Sequence, residues 1–561
     1  MKSCLFLSAA LAAVYTLLLF CPDFSPAILA FPLSAVFTFF FFLALFRFRK
    51  NTSRKNLALL RKLTEYAPFV YFALFVLRRT GEGRTPFALD AVSALLWLGI
   101  TGLSIAVLFQ LGEKRVSRYW PALEKPEKER KTIGRQILEW IDALVQAACL
   151  VLLINLFFFQ LYAIPSESMV PEFMVGDRVI VVKTPSGPRF PLSEAGIPRM
   201  RGYGRGDIVV FRNPHYNDGK RSEVRSFVSQ LVYMLSFTSV NINRDGFGNI
   251  KADPLVKRIT GVPGEKLMLV DGVLYARTKE QSEFRPVAED ERWAAWNLNA
   301  LPASQRELVR VFPLSDEAYN LLLSVESLRA NLDLAGAAQD ARQMAEQFAA
   351  YKPAADTDAS RANLEQIVPA SRMEFSDLFL SNEEITRRLL TMNGGAAWFS
   401  AFLTDWTGNP DRGNLFDRRS ANLNILAKLT FGRLVLRNAQ LILENATAAE
   451  FRDDPQRRSL LADAEVYRFY ISAHDQRNFG EFPAGENEFL PENCFFMMGD
   501  NRFNSLDMRH SYDVRLRPID AGDRFSILYR SNLEPRWVHA DEILGSAVFR
   551  FWPPARIGIP E

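Results

Sequence analysis

The chain has 561 residues, enough for several domains, and its mean hydropathy near zero averages a strongly apolar first part with a charged remainder. The formal net charge is +4, and no basic stretch alternates with aromatic residues, so nucleic acid is excluded as a partner. Cys4, Cys21 and Cys149 lie in apolar runs and leave Cys494 alone in the polar part, which excludes an intramolecular disulfide there, and the four histidines lack metal-ligand spacing, so we expect no metal or other cofactor.

Long apolar runs are concentrated in the first 163 residues, at roughly 4–21, 27–46, 66–77, 91–110 and 143–162. Four of them approach or exceed the about 20 residues that a helix needs to cross a membrane. The run Tyr66–Leu77 is shorter, so an interfacial helix is the alternative for it. The first run could be a cleaved signal peptide, but it stays apolar past any small-residue cleavage site and a second run follows closely.

We therefore predict a membrane region at 1–142, with about four transmembrane helices and basic cytoplasmic loops, and a fifth transmembrane helix at 143–163. Seven lysines and arginines lie between residues 47 and 62, and eight lie between residues 114 and 135. By the positive-inside rule both segments are cytoplasmic, so the N-terminus is inside and the fifth helix exits outward. The loop 78–90, with three arginines, then lies outside and conflicts with the rule.

Beyond residue 163 the sequence alternates in the manner of β-strands. The segments "DRVIVVK", "DIVVF" and "LVKRITGV" predict strands, and "KLMLVDGVLYA" predicts a hairpin that turns at Asp271-Gly272. Residues 221–240 predict a buried or interfacial helix that is too polar to span a membrane.

A change in composition divides this outer part. Residues 278–488 are rich in Ala, Arg and Glu with helical periodicity, and "SNEEITRRLLTMNGG" opens with a capping box from Ser381 to Glu384. Strand patterns return at "ENCFFMM" and at "EILGSAVFRFW". We predict a mainly antiparallel β domain in two parts, 164–277 and 489–561, interrupted by a large, mostly α-helical insertion at 278–488.

Three fragments that are far apart in sequence carry residues whose side chains could take part in catalysis: "PSESM" at 165–169, "LVKRITGVPGE" at 255–265 and "GDNRFNSLDMR" at 499–509. Alternation along a strand puts Lys257 on one face with Leu255 and Ile259, and Arg258 on the other. Lys257 is then either a solvent-facing edge residue or buried. If it is buried, desolvation lowers its pKa and makes its amine a useful general base. A serine hydroxyl needs such a base to act as a nucleophile, and lysine can replace the histidine of a catalytic triad.

Together with "IPSESMVPEFMVGDRVIVVK", "GDIVVF" and the closing "EILGSAVFRFWP", these fragments resemble the successive sequence boxes of bacterial type I signal peptidases, or leader peptidases. Members of that family are membrane-anchored Ser/Lys endopeptidases. The resemblance covers mainly residues 143–277 and 490–553. Glu172, Met508 and Tyr512 depart from the family pattern.

The resemblance implies a role for each matching residue. It makes Ser168 the nucleophile, Lys257 the general base, and Ser166 with the Ser168 backbone N–H the oxyanion hole. It implies that Ser505 forms a hydrogen bond with the Lys257 amine and orients it. It also implies supporting ion pairs between Asp507 and Arg509 and between Asp500 and Arg258; the second pair also follows because Arg258 faces away from the dyad.

The function implied is cleavage of N-terminal signal peptides from exported preproteins after small residues, of the Ala-X-Ala type. The implied partners are secretory preproteins, the lipid bilayer and the translocation machinery. The implied location is the bacterial cytoplasmic (inner) membrane, multi-pass, with the catalytic domain on the outer, periplasmic side. Two alternatives stay open: a non-catalytic membrane scaffold that binds a partner, and a Ser/Lys membrane protease for one dedicated substrate.

Overall fold

The computed structural model describes the chain except for residues 1, 21–24, 82, 121–131, 217–218, 237–239, 241, 245–247, 249–250, 353–366 and 409–411. Cys21 and four of the basic residues used to predict orientation lie outside the described residues: Lys125, Lys128, Arg130 and Lys131.

The first part of the chain is helical: α1 (Lys2–Leu18), α2 (Ala30–Lys50), α3 (Arg54–Arg78), α4 (Phe87–Gln110), α5 (Glu113–Tyr119) and α6 (Ile133–Phe157). By length and composition, three described segments could cross a membrane: Pro26–Lys50, Phe87–Gln110 and Ile133–Phe157. The run Tyr66–Leu77 forms the last half of α3, where Tyr71 and Phe75 are buried. Five crossings therefore remain a prediction.

The predicted fifth helix is wrong at its C-terminal end. Helix α6 ends at Phe157, and the apolar residues that follow form strand β1 (Phe159–Ala163), which pairs antiparallel with β2 (Arg178–Val182). The backbone groups of β1 form hydrogen bonds with β2, whose paired residues lie 15 to 23 positions further along the chain. An apolar run alone does not reveal such a partner.

The β domain contains the further strands β3 (Ile208–Phe211), β4 (Leu255–Gly261), β5 (Glu265–Val270), β6 (Val273–Thr278), β7 (Arg285–Pro286), β8 (Phe479–Phe482), β9 (Cys494–Met498), β10 (His510–Pro518), β11 (Leu528–Leu533), β12 (Val538–His539) and β13 (Ile543–Trp552). A seven-stranded sheet has the order β1-β2-β13-β3-β4-β9-β12, and a four-stranded sheet has the order β7-β6-β5-β8. All the described strand pairs in these sheets are antiparallel.

Helix α7 (Lys220–Leu235) follows β3, and the described residues between β7 and β8 form ten more helices: α8 (Ala288–Trp293), α9 (Ala303–Arg306), α10 (Asp316–Ala330), α11 (Leu334–Ala349), α12 (Phe375–Leu380), α13 (Asn382–Thr391), α14 (Gly395–Thr404), α15 (Leu415–Leu443), α16 (Ala448–Asp453) and α17 (Pro455–Arg477). We call residues 288–477 the helical region. Its core is arranged around the long helix α15 and includes Trp398, Phe402 and Phe431.

Two details of the helical prediction are wrong. The boundaries 278 and 488 are wrong, because the residues just inside them supply β7 and β8 to the four-stranded sheet. The capping box at Ser381 is absent: its side chain makes no cap hydrogen bond, because helix α12 ends directly before it and holds its backbone in a turn.

The β10–β11 hairpin and the core of the helical region pack together. Ile519 and Ile527 next to the hairpin and Tyr529 within it belong to that core, so the boundary at residue 489 does not separate two cores.

Aromatic side chains connect the β domain to the N-terminal helices α3, α4 and α6. Phe190, in the loop between β2 and β3, lies 4.9 to 6.3 Å from the rings of four residues on α3, α4 and α6: Phe72, Phe75, Trp97 and Phe157. Beside it, Ser193 donates a hydrogen bond to Asp90, which forms a buried ion pair with Arg79. One arginine of the loop 78–90 is therefore paired with a buried aspartate, but the rule counts basic residues and not net charge, so the conflict stands.

We predict that Phe190→Ala releases this loop. A buried Phe→Ala change costs about 3–5 kcal/mol, so the opening free energy of the Phe190 and Ile197 amides should fall by most of that amount in hydrogen exchange. Met200→Ala is the control, because Met200 is exposed in the same loop and its loss should cost less than about 0.5 kcal/mol. Equal protection in the two variants would contradict the anchoring role.

Candidate active site

The serine loop, Ile164–Val170, leaves strand β1 and is held by its own apolar residues. Ile164 and Met169 are buried against the inner face of the seven-stranded sheet. The backbone N–H of Ile164 donates to the carbonyl of Asp177, which closes the base of the loop. Between these fixed points Ser168 is turned inward and is only 9% exposed.

Lys257 is buried on β4, which pairs with β3 and β9 and is therefore an interior strand. This excludes the edge-lysine alternative. Its side-chain nitrogen Nζ is hydrogen-bonded to Ser168 Oγ at 2.6 Å. Burial lowers the pKa of Lys257 to about 8, against the opposing influence of Asp507 and Asp500. The amine is thus neutral in a useful fraction of molecules near neutral pH and can accept a proton from Ser168.

Two buried ion pairs surround the dyad. Arg509 binds Asp507 through Nε and Nη2 at 2.8 and 2.9 Å, and Arg258 binds Asp500 in the same bidentate manner at 2.9 and 2.7 Å. Burial acts to raise the pKa of Asp507, but the Arg509 guanidinium holds it well below its usual range. Because each carboxylate is paired with its own arginine, neither needs a charged Lys257 as counter-ion. Both predicted pairs are present in the structure.

Ser166 is exposed, and its hydroxyl donates to Ser168 Oγ at 3.4 Å. Among the described residues, the backbone N–H of Ser168 has no hydrogen-bond acceptor. These two donors are next to the nucleophile, where the sequence predicted an oxyanion hole.

Ser505 does not make its predicted bond to the Lys257 amine. Its buried hydroxyl has no hydrogen-bond partner in the described part of the chain. It lies close to Ser168 nonetheless, because a Cβ at Gly499 would collide with both Ser505 Oγ and the Ser168 carbonyl oxygen. Gly499 lets the third fragment approach the serine loop this closely.

The structure also assigns roles that sequence reasoning missed. The Asn501 side chain donates to the carbonyl of Glu167 at 3.1 Å, and its backbone N–H donates to the carbonyl of Ser168 at 3.1 Å. Asn501 therefore fixes the two peptide units at the nucleophile. It lies within the fragment "GDNRFNSLDMR", but nothing in its spacing distinguished it from a turn residue.

Comparison with known proteins bears on the same region. Residues 137–319 match the family described as signal peptidase, peptidase S26, and the resemblance predicted from the sequence is confirmed there. The chain is 35% identical over 77 residues to signal peptidase I of Buchnera aphidicola subsp. Schizaphis graminum, which covers 14% of this chain and 25% of the relative. It is 26% identical over 157 residues to signal peptidase I of Bacillus licheniformis, covering 28% of this chain and 59% of the relative.

It is also 26% identical over 201 residues to signal peptidase I of Pseudomonas aeruginosa, covering 34% of this chain and 59% of the relative. The chain thus spans about a quarter to three fifths of the length of these relatives. The family match covers residues 137–319, and residues 1–136 and most of the helical region lie outside it.

We predict that the reactivity of Ser168 towards a phosphonate reagent depends on the protonation of Lys257. Protonation below its pKa removes the lone pair that accepts the serine proton, so the labelling rate should rise with pH through a midpoint at about 8 and level off about one pH unit above it. Lys257→Met should abolish this labelling.

Lys183→Met is the matched control, because burial also lowers the pKa of Lys183 to about 8 while its amine bonds Gln160 instead of a serine. If the midpoint of the labelling rate moves in Lys183→Met, the titrating group is Lys183, and the role given to Lys257 is contradicted.

We predict that Asp507→Asn destabilises the β domain by about 3–5 kcal/mol, because it leaves the Arg509 charge buried without a partner. Urea unfolding measures the change. Glu534→Gln breaks the partly exposed pair with Arg536 and should cost less than about 1 kcal/mol. Similar losses of unfolding free energy in both variants would show that the buried pair contributes no more to stability than the partly exposed pair.

Proposed function

We propose that the protein is a membrane-bound signal peptidase I that cleaves N-terminal signal peptides from exported preproteins. The observation that carries this proposal is the 2.6 Å contact between Lys257 Nζ and Ser168 Oγ, which is buried in the region that matches the signal peptidase family. A serine and a neutral lysine in contact form a nucleophile and its base.

In the first step, Lys257 takes the proton of Ser168 as Oγ attacks the carbonyl carbon of the scissile peptide bond. The carbonyl oxygen becomes an oxyanion, which the Ser166 hydroxyl and the Ser168 N–H stabilise. Donors placed where charge develops in the transition state each contribute about 3–4 kcal/mol. The protonated Lys257 then gives its proton to the leaving amine as the C–N bond breaks, which leaves the signal peptide esterified to Ser168.

In the second step, a water molecule attacks the ester and Lys257 accepts one of its protons. Collapse of the second tetrahedral intermediate returns that proton to Ser168 Oγ and releases the signal peptide as a carboxylic acid, which then loses its proton to the solvent. The amine of Lys257 is neutral again at the end of the cycle. The ion pairs of Asp507 with Arg509 and of Asp500 with Arg258 take no part in proton transfer; they hold the segments around the dyad in place.

The serine loop is separated from helix α6 only by strand β1, so a substrate that enters from the membrane would meet the site near the bilayer surface. We place the protein in the bacterial cytoplasmic membrane as a multi-pass protein with the β domain on the outer side. Small side chains before the cut, of the Ala-X-Ala type, and contact with the bilayer and the translocation machinery belong to the same proposal.

We predict that the detergent-solubilised protein cleaves a purified preprotein after a small residue, and that Ser168→Ala and Lys257→Met each lower kcat by a factor on the order of 10⁴ or more. Ser166→Ala should lose about 10²–10³-fold, because it removes one oxyanion donor. Cleavage is measured by mass spectrometry of both products.

Equal cleavage by wild type and Ser168→Ala would contradict the assigned site. A folded wild type that labels at Ser168 but cuts no general preprotein would favour a protease with one dedicated substrate. A folded wild type that neither labels nor cuts would favour the scaffold alternative.

A further inference from the structure

Glu167, between the two serines of the site, is a buried carboxylate that binds the helical region. Its side chain is 6% exposed and accepts hydrogen bonds from the backbone N–H groups of Arg310, at 2.5 Å, and Val311, at 3.1 Å. In the described part of the chain, no basic side chain forms an ion pair with it. Two peptide N–H groups thus provide the stabilisation that a buried charge requires.

The donors lie in an irregular stretch between α9 and α10, which we call the clamp segment, residues 308–312. Val309 anchors it, because this side chain is buried with Val170 and Met174, which follow the nucleophile, and with Leu298. The clamp segment therefore contacts the chain on both sides of Ser168, through Glu167 before it and Val170 after it.

A second connection runs to the opposite side of the serine loop. Ala295 bridges Asn501 in parallel: its N–H donates to the Asp500 carbonyl, and its carbonyl accepts from the Arg502 N–H. Asn501 in turn holds the carbonyls of Glu167 and Ser168. The first part of the helical region thus contributes to both contacts that hold the nucleophile: the clamp segment binds Glu167, and Ala295 binds the chain segment around Asn501.

We infer that Glu167 is a positioning residue for the reaction proposed above, and that its bonds to the clamp segment hold Ser168 Oγ against Lys257 and Ser166 towards the oxyanion. Rotation of the 167–168 peptide would move both hydroxyls together. A displacement of about 1 Å at a nucleophile can cost on the order of 10²-fold in rate. The helical region, on this inference, contributes directly to the rate of the chemical step.

The test removes each half of the hydrogen-bonded contact separately. Glu167→Gln keeps the shape but replaces one acceptor by an NH₂ group, and Arg310→Pro removes an N–H donor. Arg310→Ala is the matched control, because it removes the exposed side chain and keeps the backbone donor. Preprotein cleavage and the rate of phosphonate labelling at Ser168 are measured for each variant, together with the fraction of sites that can be titrated.

We expect Glu167→Gln and Arg310→Pro each to lower kcat per titratable site by about 10–100-fold, with KM changed less than about threefold and the pH midpoint still about 8. Arg310→Ala should match wild type. The double variant Glu167→Gln/Arg310→Pro should be no slower than the slower single variant, because both changes break one contact.

Wild-type kcat in Glu167→Gln would overturn the inference, as would a loss that disappears when rates are divided by the titratable fraction. Equal losses in Arg310→Ala and Arg310→Pro would also overturn it and point to the arginine side chain. If wild type cuts no preprotein, the proposed function fails, while the labelling rate still decides whether Glu167 positions Ser168.

Discussion

The contact between Lys257 and Ser168 depends on the exclusion of water, and the surrounding structure maintains that exclusion. A solvated lysine would be protonated near neutral pH and useless as a base. Burial lowers its pKa, Asp507 and Asp500 act against that effect, and Arg509 adds to it. Each of these carboxylates is also bound by an arginine, Asp507 by Arg509 and Asp500 by Arg258, so their charges do not fall on Lys257 alone.

The nucleophile is held by chain segments that are far apart in sequence. Its loop follows β1, its base lies on β4, Gly499 and Asn501 approach from the turn after β9, and the clamp segment approaches from the helical region. Asn501 bonds to the backbone carbonyls of Glu167 and Ser168, the clamp segment bonds to the Glu167 side chain, and Lys257 bonds to Ser168 Oγ. The precision of the site is therefore a property of the assembled fold and not of the serine loop alone.

The sequence was most informative where chemistry restricts residue type and least informative where geometry alone decides. The resemblance to a known family carried the prediction of Ser168, Lys257 and the two ion pairs, and the strand pattern around Lys257 placed Arg258 on the opposite face. The strand β1 was missed because an apolar run that follows a helix has no local signal of its pairing partner. Ser505 was expected to bond Lys257, but its hydroxyl is unpaired among the described residues. Glu167 and Asn501 act through backbone groups of distant residues, and no pattern in a single sequence reports such contacts.

The position of β13 determines when the dyad can form as the chain emerges from the ribosome. This strand is the last in chain order, yet it lies between β2 and β3 and connects them. Until residues 543–552 have been translated, β1–β2 with Ser168 and β3–β4 with Lys257 are two unconnected half-sheets. If the proposed function holds, a nascent chain carries both reactive groups before the sheet that brings them together is complete.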